Sequence, residues 1–577
     1  MFDVSGAVRP GEVLALMGPS GSGKTTLLSV IGGRPAKALR VTGALTVNGH
    51  PFTKATRRRI GFVLQDDVLY EDLTVQETLR YAALLRLPAD MARSEKEGRV
   101  DAVIDVLGVR KSKGTIIGGF LRRGISGGER KRVSIGHELL INPAILMLDE
   151  PTSGLDSTSA LHLVNLLRDL AADGRAVVST IHQPSSRLYG KLDALMLLAE
   201  GHLLYSGPAP DVVPYMEHFG LRVPFGTSIA DFVLDAAMGE AGTTLAGNTG
   251  DEAIHELWTA HEGAKAAAPR PAAAAAPSLD AAPPRDADGR GAKARAPPAV
   301  LGGGAAAGGS RRREGAPYWE QVAVLTGRAI KVRRFEQLTA SHFFQLIFVA
   351  VVAGLVWWQR GSTYTRFNSS DVLGLMFFEL LFPSFRALFH SLFTFPNEYR
   401  MLMKERPAGL YKLSAYYLAR TIADVPIELL NTVLFVSIVY WFGGLNRNAA
   451  DFFANLGTMV LVVMVAEAWG LLLGGVFMQT KKAQTATTVI MLTFLLVGGY
   501  YAKAIPVWIS WLRYLSFLYW GFNILTKIQF RWGWGALIVH CVCVPDALIL
   551  VAMLVALRLT IYYTLRVKTR TRKILMG

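Results

Sequence analysis

Between His342 and Leu565 the chain carries six apolar runs, at about 342–359, 371–396, 414–442, 452–478, 484–502 and 545–565. Each is close to the ~20 residues an α-helix needs to cross the ~30 Å hydrocarbon core of a bilayer. In lipid a backbone must satisfy its own hydrogen bonds, so this half is confined to a bundle of spanning helices. The composition agrees. Hydrophobic residues make up 51% of the chain and mean hydropathy is +0.30. Yet residues 1–240 alternate short β-branched runs with helical stretches, as a water-soluble α/β sheet with crossover helices does.

A net charge of +16 would suit a nucleic-acid binder. Much of it, however, lies in 270–335 and in the loops between apolar runs, where membrane proteins carry their bases, so we expect no nucleic acid. Lys404, Arg406, Lys412 and Arg420 lie between runs two and three, Lys481 and Lys482 between four and five, and Arg566, Lys568, Arg570, Arg572 and Lys573 in the tail. An even number of spans puts all of these on the side of the N-terminal domain, which is then cytosolic. Arg360, Arg366, Arg447, Lys503, Arg513, Lys527 and Arg531 fall on the opposite side and weaken the asymmetry. The aromatic stretch WISWLRYLSFLYWGF inside 503–544 is expected to re-enter the membrane or lie at its interface. Met1 leads into a polar stretch rather than a secretory signal, so the first apolar helix is expected to target the chain to the membrane. Only two cysteines occur, Cys541 and Cys543, which excludes a zinc site or disulfide framework. Being one residue apart, they favour other partners over each other, and free or intersubunit thiols are both open.

Residues 241–316 change to Ala, Pro, Gly and Arg, with AAAAAP, APPR and GGGAAAGGS. That composition cannot bury a core and predicts a disordered linker. Residues 317–340 are amphipathic and basic, predicting an interfacial helix that leads into the bilayer. The organisation expected is therefore 1–240 soluble α/β domain, 241–316 linker, 317–340 connecting helix, and 341–577 transmembrane domain with a basic tail.

VLALMGPSGSGKTTLL holds Gly18, Pro19, Ser20, Gly21, Ser22, Gly23, Lys24, Thr25 and Thr26 in P-loop spacing, after an apolar strand and before a helical run. Backbone N–H groups and the helix N-terminus cradle phosphates, Lys24 reaches the β- and γ-phosphates, and the Thr25 hydroxyl suits Mg²⁺. A lone Gly-rich loop is often only a turn; GKT after a strand removes most of that reading. In AILMLDEPTSGLD the strand Ile145–Leu148 delivers Asp149 toward Mg²⁺ and Glu150 toward the attacking water, as general base. ISGGERKR at 125–132 places Ser126, Gly127 and Gly128 at a second helix N-terminus, another anion site. One nucleotide rarely needs two cradles from one chain.

In their order, GPSGSGKT, ISGGE, LMLDEP and SGLD, with Gln65 upstream and His182 downstream, resemble an ABC-transporter ATPase. The resemblance implies that the signature of one subunit closes over the P-loop ATP of another. It also implies that Gln65 links Mg²⁺ and water to the membrane domain, that Asp156 is the D-loop residue, and that His182 contacts the γ-phosphate. With the ATPase ahead of the membrane domain, GFVLQDDVLYEDLTVQETLRYAALLRLP, TIHQPSSRLY and FPNEYRMLMKERPAGLYKLSAYYLARTIADVP are similar to the plant-type G subfamily, the white–brown-complex half-transporters. By that resemblance the Lys404–Arg406 region is a cytosolic elbow. The family has an earlier strand and often an adenine-stacking aromatic ahead of MFDVSG; either Phe2 is the remnant of that region, or the true N-terminus lies further upstream.

The fold class expected is thus an α/β P-loop ABC ATPase domain followed by an all-α six-helix transmembrane domain, with ATP and Mg²⁺ as cofactors. The expected function is export of an amphipathic or lipid-like substrate by a homo- or heterodimer in the plasma membrane. The competing reading is a membrane ATPase that regulates a partner, and vectorial flux from ATP-loaded vesicles separates the two. One polar pattern inside the apolar runs bears on cargo. Glu379, Arg386 and His390 are spaced seven and four residues apart, within roughly 40° of arc on run two. We expect this stripe to face protein or a water-filled cavity, either as ion pairs or with Arg386 orienting a polar head of the cargo.

Overall fold

The computed structural model describes residues 1, 3–35, 39–53, 56–57, 59–119, 122–219, 221–239, 259, 315–337, 339–362, 369–502, 504–530 and 536–569. The linker expected over 241–316 lies outside them except for Thr259, Gly315 and Ala316, as do Phe2, the side chain of Cys541 and the end of the basic tail. Two compact units form: Met1–Ala316 with Pro407–Leu410, and Pro317–Arg406 with Tyr411–Arg570.

In the first unit the strands are β1 (Val13–Met17), β2 (Thr46–Val47), β3 (His50–Pro51), β4 (Ile60–Val63), β5 (Ile145–Leu148), β6 (Ala176–Thr180), β7 (Ala194–Ala199) and β8 (His202–Pro208). Six of them make one sheet in the order β4-β5-β6-β1-β7-β8, parallel except for the β7–β8 hairpin. β2 and β3 form a separate hairpin whose two-residue turn is Asn48-Gly49, both at positive φ as that turn requires. The period-2 alternation of β1 sends Val13, Ala15 and Met17 into the larger apolar core, and Leu14 and Leu16 into the core on the other face. A parallel strand covered on both sides reads as a continuous apolar run, which is what VLALM is.

The helices of this unit are α1 (Lys24–Ile31), α2 (Val75–Arg86), α3 (Arg93–Val106), α4 (Gly127–Leu139), α5 (Ser157–Ala172), α6 (Ser186–Tyr189), α7 (Val212–His218) and α8 (Ile229–Ala237). Their starts are written in the sequence. Thr74 with Glu77 and Ser126 with Glu129 form capping boxes ahead of α2 and α4, and Asp156 caps α5.

The second unit is helical among its described residues: α9 (Tyr318–Gln337), α10 (Ala340–Val356), α11 (Ser369–Leu392), α12 (Thr394–Glu405), α13 (Leu413–Gly443), α14 (Ala449–Phe477), α15 (Thr480–Val497), α16 (Leu512–Leu515), α17 (Phe517–Gln529) and α18 (Ala536–Lys568). Every apolar run in the sequence coincides with one of these helices. Among the described residues four segments are long and apolar enough to cross a membrane: Ser370–Glu405, Leu413–Gly443, Ala449–Phe477 and Cys543–Lys568. Ala340–Val356 is apolar but shorter, and α15 opens on a polar turn, Thr480-Lys481-Lys482. α17, which begins within the aromatic stretch, has only 13 residues and buries one apolar face.

α9 covers most of the segment expected as an interfacial connecting helix, and two of its bases point inward. Arg328 is buried and donates to both oxygens of Glu405, at 2.7 and 2.9 Å. Arg333, 2% exposed, pairs with Asp424 at 2.6 Å. An ammonium or guanidinium on a bilayer surface needs water or headgroups; here the carboxylates supply that role, and amphipathic spacing alone does not reveal it.

Candidate functional site

The ATPase site is assembled at the ends of β1, β4, β5 and β6, the edge where a parallel sheet offers helix N-termini and loops. Leaving β1, the chain turns sharply through Gly18, Gly21 and Gly23, all at positive φ. At Gly18 a side chain is excluded outright, since a Cβ would lie 2.0 Å from the Leu198 carbonyl oxygen. Pro19, Ser20 and Ser22 complete the turn, and α1 begins at Lys24, carrying Thr25 and Thr26 in its first turn. Lys24 is buried and donates to the carbonyls of Gly18 and Pro19, each at 2.8 Å. Burial lowers its pKa, and the Glu150 and Asp149 carboxylates oppose that shift without cancelling it.

Asp149 and Glu150 emerge from β5. The Thr25 hydroxyl donates to Asp149 Oδ1 at 3.0 Å, and the Thr180 hydroxyl donates to the same oxygen at 2.8 Å. Glu150 sits in the left-handed region at φ 42°, and its N–H donates to Thr180 Oγ1 at 2.7 Å. Gln65, just past β4, donates from Nε2 to Glu150 Oε2 at 2.8 Å. His182, two residues after β6, lies 3.2 Å from the Ser20 hydroxyl. Lys24, Thr25, Gln65, Asp149, Glu150 and His182 thus converge from four segments of sequence.

Thr180 escaped the sequence reading. It is fully buried at the end of β6 and holds both carboxylate-bearing residues, one by side chain and one by backbone. The available signal was a hydroxyl closing an apolar strand two residues ahead of His182.

The residues present fit a Mg²⁺–nucleotide. Ser22 Oγ is buried with no hydrogen-bond partner among the described residues, an orphaned donor inside the loop. Thr25 and Asp149 bring a hydroxyl and a carboxylate to one point, the hard oxygen ligands that Mg²⁺ prefers.

The signature residues stand apart from this set. Ser126 is exposed and engaged in its own capping box, accepting from the Glu129 N–H at 3.3 Å while donating to the Glu129 carboxylate at 2.9 Å. Gly127 and Gly128 open α4, and a Cβ on Gly128 would press on Ser159 at 3.1 Å. Asp156 accepts from the Ser159 N–H at 3.0 Å, and hydrogen bonds from the Ser159 side chain and backbone hold its carboxyl below the usual range. Among the described residues no hydrogen bond joins Ser126, Gly127, Gly128 or Asp156 to the P-loop of the same chain.

In the helical unit the expected stripe is divided. Arg386 turns to α13 and donates to Glu428 at 2.6 Å, with the His342 ring at 3.4 Å. Glu379 is fully buried and takes no cationic partner among the described residues. Arg386 is therefore neutralised by a neighbouring helix, as in the ion-pair alternative. Its pair belongs to a wider set: Arg420 with Glu398 at 2.6 Å and with Asp424 at 3.4 Å, Arg333 with Asp424, and Arg558 with Glu467 at 3.2 Å. Four arginines meet four carboxylates, as groups held away from water must.

A phosphate-binding loop, a paired carboxylate site and a detached signature, followed by membrane-spanning helices, define an ATP-driven transporter of the ABC type. Comparison with known proteins agrees. Residues 1–153 match the family model described as ABC transporter, and residues 320–530 and 182–283 match two models described as ABC-2 type transporter. ABC transporter G family member 22 of Arabidopsis thaliana is 42% identical over 529 residues, covering 92% of this chain and 70% of its own. Member 21 is 42% identical over 538 residues, covering 92% and 77%. Protein white of Drosophila melanogaster is 31% identical over 520 residues, covering 89% and 72%. The chain belongs to the G family of ABC transporters. It is an integral membrane half-transporter that binds and hydrolyses ATP.

Proposed function

We propose that two such chains, identical or related, pair to export an amphipathic or lipid-like substrate by alternating access, with ATP closing the ATPase domains and hydrolysis releasing them. The observation that carries the reading is the detached signature. Ser126, Gly127 and Gly128 form an anion-binding helix N-terminus that their own chain's P-loop does not use, so the phosphates they suit belong to a second chain. Asp156 caps the neighbouring helix on the same exposed face.

Within each site, the backbone from Gly18 to Thr26, with Ser22 and Lys24, would hold the phosphates. Thr25, Asp149 and Gln65 would hold Mg²⁺, which when bound neutralises charge on the transferring phosphoryl group. Glu150 orients and deprotonates the attacking water, with Gln65 fixing its carboxylate and His182 beside Ser20 at the phosphate end. The ATPase domain is cytosolic, and the plasma membrane is the proposed site of action.

Glu150→Gln tests the assignment. It removes the proton acceptor while sparing the phosphate and Mg²⁺ ligands, so ATP binding should persist while hydrolysis falls by roughly 10²–10⁴. The variant should accumulate as a closed, ATP-loaded dimer. Wild-type turnover would sink the base assignment, and full ATPase without flux from loaded vesicles would remove transport.

A further inference from the structure

Lys131 lies on α4, five residues beyond Ser126, and none of the roles above uses it. Its side chain is 3% exposed, a rare position for a lysine, and it does not reach back to the signature. Instead Nζ donates to the main-chain carbonyl of Gln65 at 2.7 Å and lies 3.0 Å from Asp67 Oδ1. Gln65 is therefore held at both ends. Its amide donates to the Glu150 carboxylate at 2.8 Å, and its backbone is fixed by a cation from the signature helix.

We propose that Lys131 is a positioning residue for hydrolysis, setting where Gln65 presents its amide to Glu150. A buried cation bonded to a carbonyl makes a strong, directional contact, and α4 is a rigid element of 13 residues. A shift of the signature on engaging the phosphates of the second chain is thereby delivered through Lys131 to the water-orienting pair of its own chain. This last step rests on the dimer reading above; the Lys131–Gln65–Glu150 connection rests only on distances within one chain.

The bland alternative is that Lys131 neutralises Asp67 and so steadies the loop that follows β4. The two readings differ in which partner matters. In the full chain reconstituted in lipid, Lys131→Met is expected to lower turnover roughly tenfold, the scale of one charge-assisted hydrogen bond, with ATP affinity unchanged within about twofold. Asp67→Asn, which spares the carbonyl contact, is expected to keep near wild-type turnover. Combined with Gln65→Ala, Lys131→Met should add no further loss, because it acts only through that residue. Lys131→Arg, which can still donate to the carbonyl, should recover most of the rate.

Multiplicative losses in the double variant, a fall in ATP affinity matching the fall in turnover, or Asp67→Asn as damaging as Lys131→Met would each overturn the proposal. If the methionine variant fails to fold, Lys131→Gln keeps a donor for the carbonyl without the charge. It is expected to retain most of the turnover, and a loss equal to that of Gln65→Ala overturns the proposal. Glu150→Gln run alongside keeps the readings distinct. If it is inactive while the double variant shows multiplicative losses, only the Lys131 proposal falls; if it turns over normally, the hydrolytic assignment falls first.

Discussion

Thr180→Val keeps shape and burial but deletes one hydroxyl, and that hydroxyl makes two contacts at the centre of the site. It donates to Asp149 Oδ1 at 2.8 Å and accepts the Glu150 N–H at 2.7 Å. Losing a hydrogen bond to a carboxylate costs about 1.5–3 kcal/mol, and a buried N–H left without an acceptor costs a further ~1–3 kcal/mol. The two share one atom and partly relax together, so we expect about 3 kcal/mol. In an ATPase domain of this size, roughly 2–4 °C per kcal/mol predicts a lowering of its Tm by about 6–12 °C. Glu150 holds a left-handed backbone, φ 42°, that its N–H bond helps maintain. Freed of it, the carboxylate should drift from its bond with Gln65, and a displacement near 1 Å can cost roughly a hundredfold in turnover. Thr180→Ser restores the hydroxyl and should return both quantities close to wild type. The assay is steady-state hydrolysis by reconstituted protein alongside thermal unfolding. A valine variant with wild-type turnover, or a serine variant as poor as valine, would refute the bridging role.

Two further outcomes follow from buried ion pairs. Arg386→Gln alone strands Glu428 and should cut the yield of folded protein sharply, whereas Arg386→Gln with Glu428→Gln should recover much of it, as read by size-exclusion profiles in detergent. In the ATPase domain, burial alone would raise the Glu138 carboxyl, but Arg86, His137 and Arg34 outweigh it and hold it well below the usual range. A depressed folded pKa gives stability that is present above the ordinary carboxylate range, near pH 4, and lost as pH falls through the folded value. Glu138→Gln should therefore cost about 3 kcal/mol near neutrality and progressively less in acid, with unfolding midpoints that converge; a constant difference across pH would contradict the pairing with Arg86.

The ATPase site was legible in sequence because its chemistry is compressed into contiguous strings. Each of GPSGSGKT, LMLDEP and ISGGE brings a strand or helix end together with the polar groups that end presents. Thr180 and Lys131 were not legible, because each acts through a backbone group of a residue 30 or 66 positions away. In the helical unit, hydropathy located the helices but not their polar faces. The i,i+4 ladder Arg420–Asp424–Glu428 on α13 was present in the sequence; its partners Arg333, Glu398 and Arg386 sit on three other helices, and only the fold brings them together. The periodicity of run two placed Glu379 and Arg386 in one stripe, yet the cation found its counter-charge across to α13 rather than along its own axis.

The helices of the second unit are unequal in length. At 1.5 Å per residue, the 31 residues of α13 extend about 46 Å and the 29 of α14 about 43 Å, while the 17 of α10 and 18 of α15 reach only about 26 and 27 Å. Against an acyl region ~30 Å thick, the long members overhang, and the first turns of α13, with Arg420 and Asp424, can sit beyond the chains of the lipid. The short members have no such reserve. For α15, a thicker sterol-rich sheet of lipid draws the exposed Lys481 and Lys482 toward hydrocarbon, and each ångström of mismatch costs a fraction of a kcal/mol. The polar opening turn of α15 is therefore the part of this unit most sensitive to the thickness of the surrounding lipid.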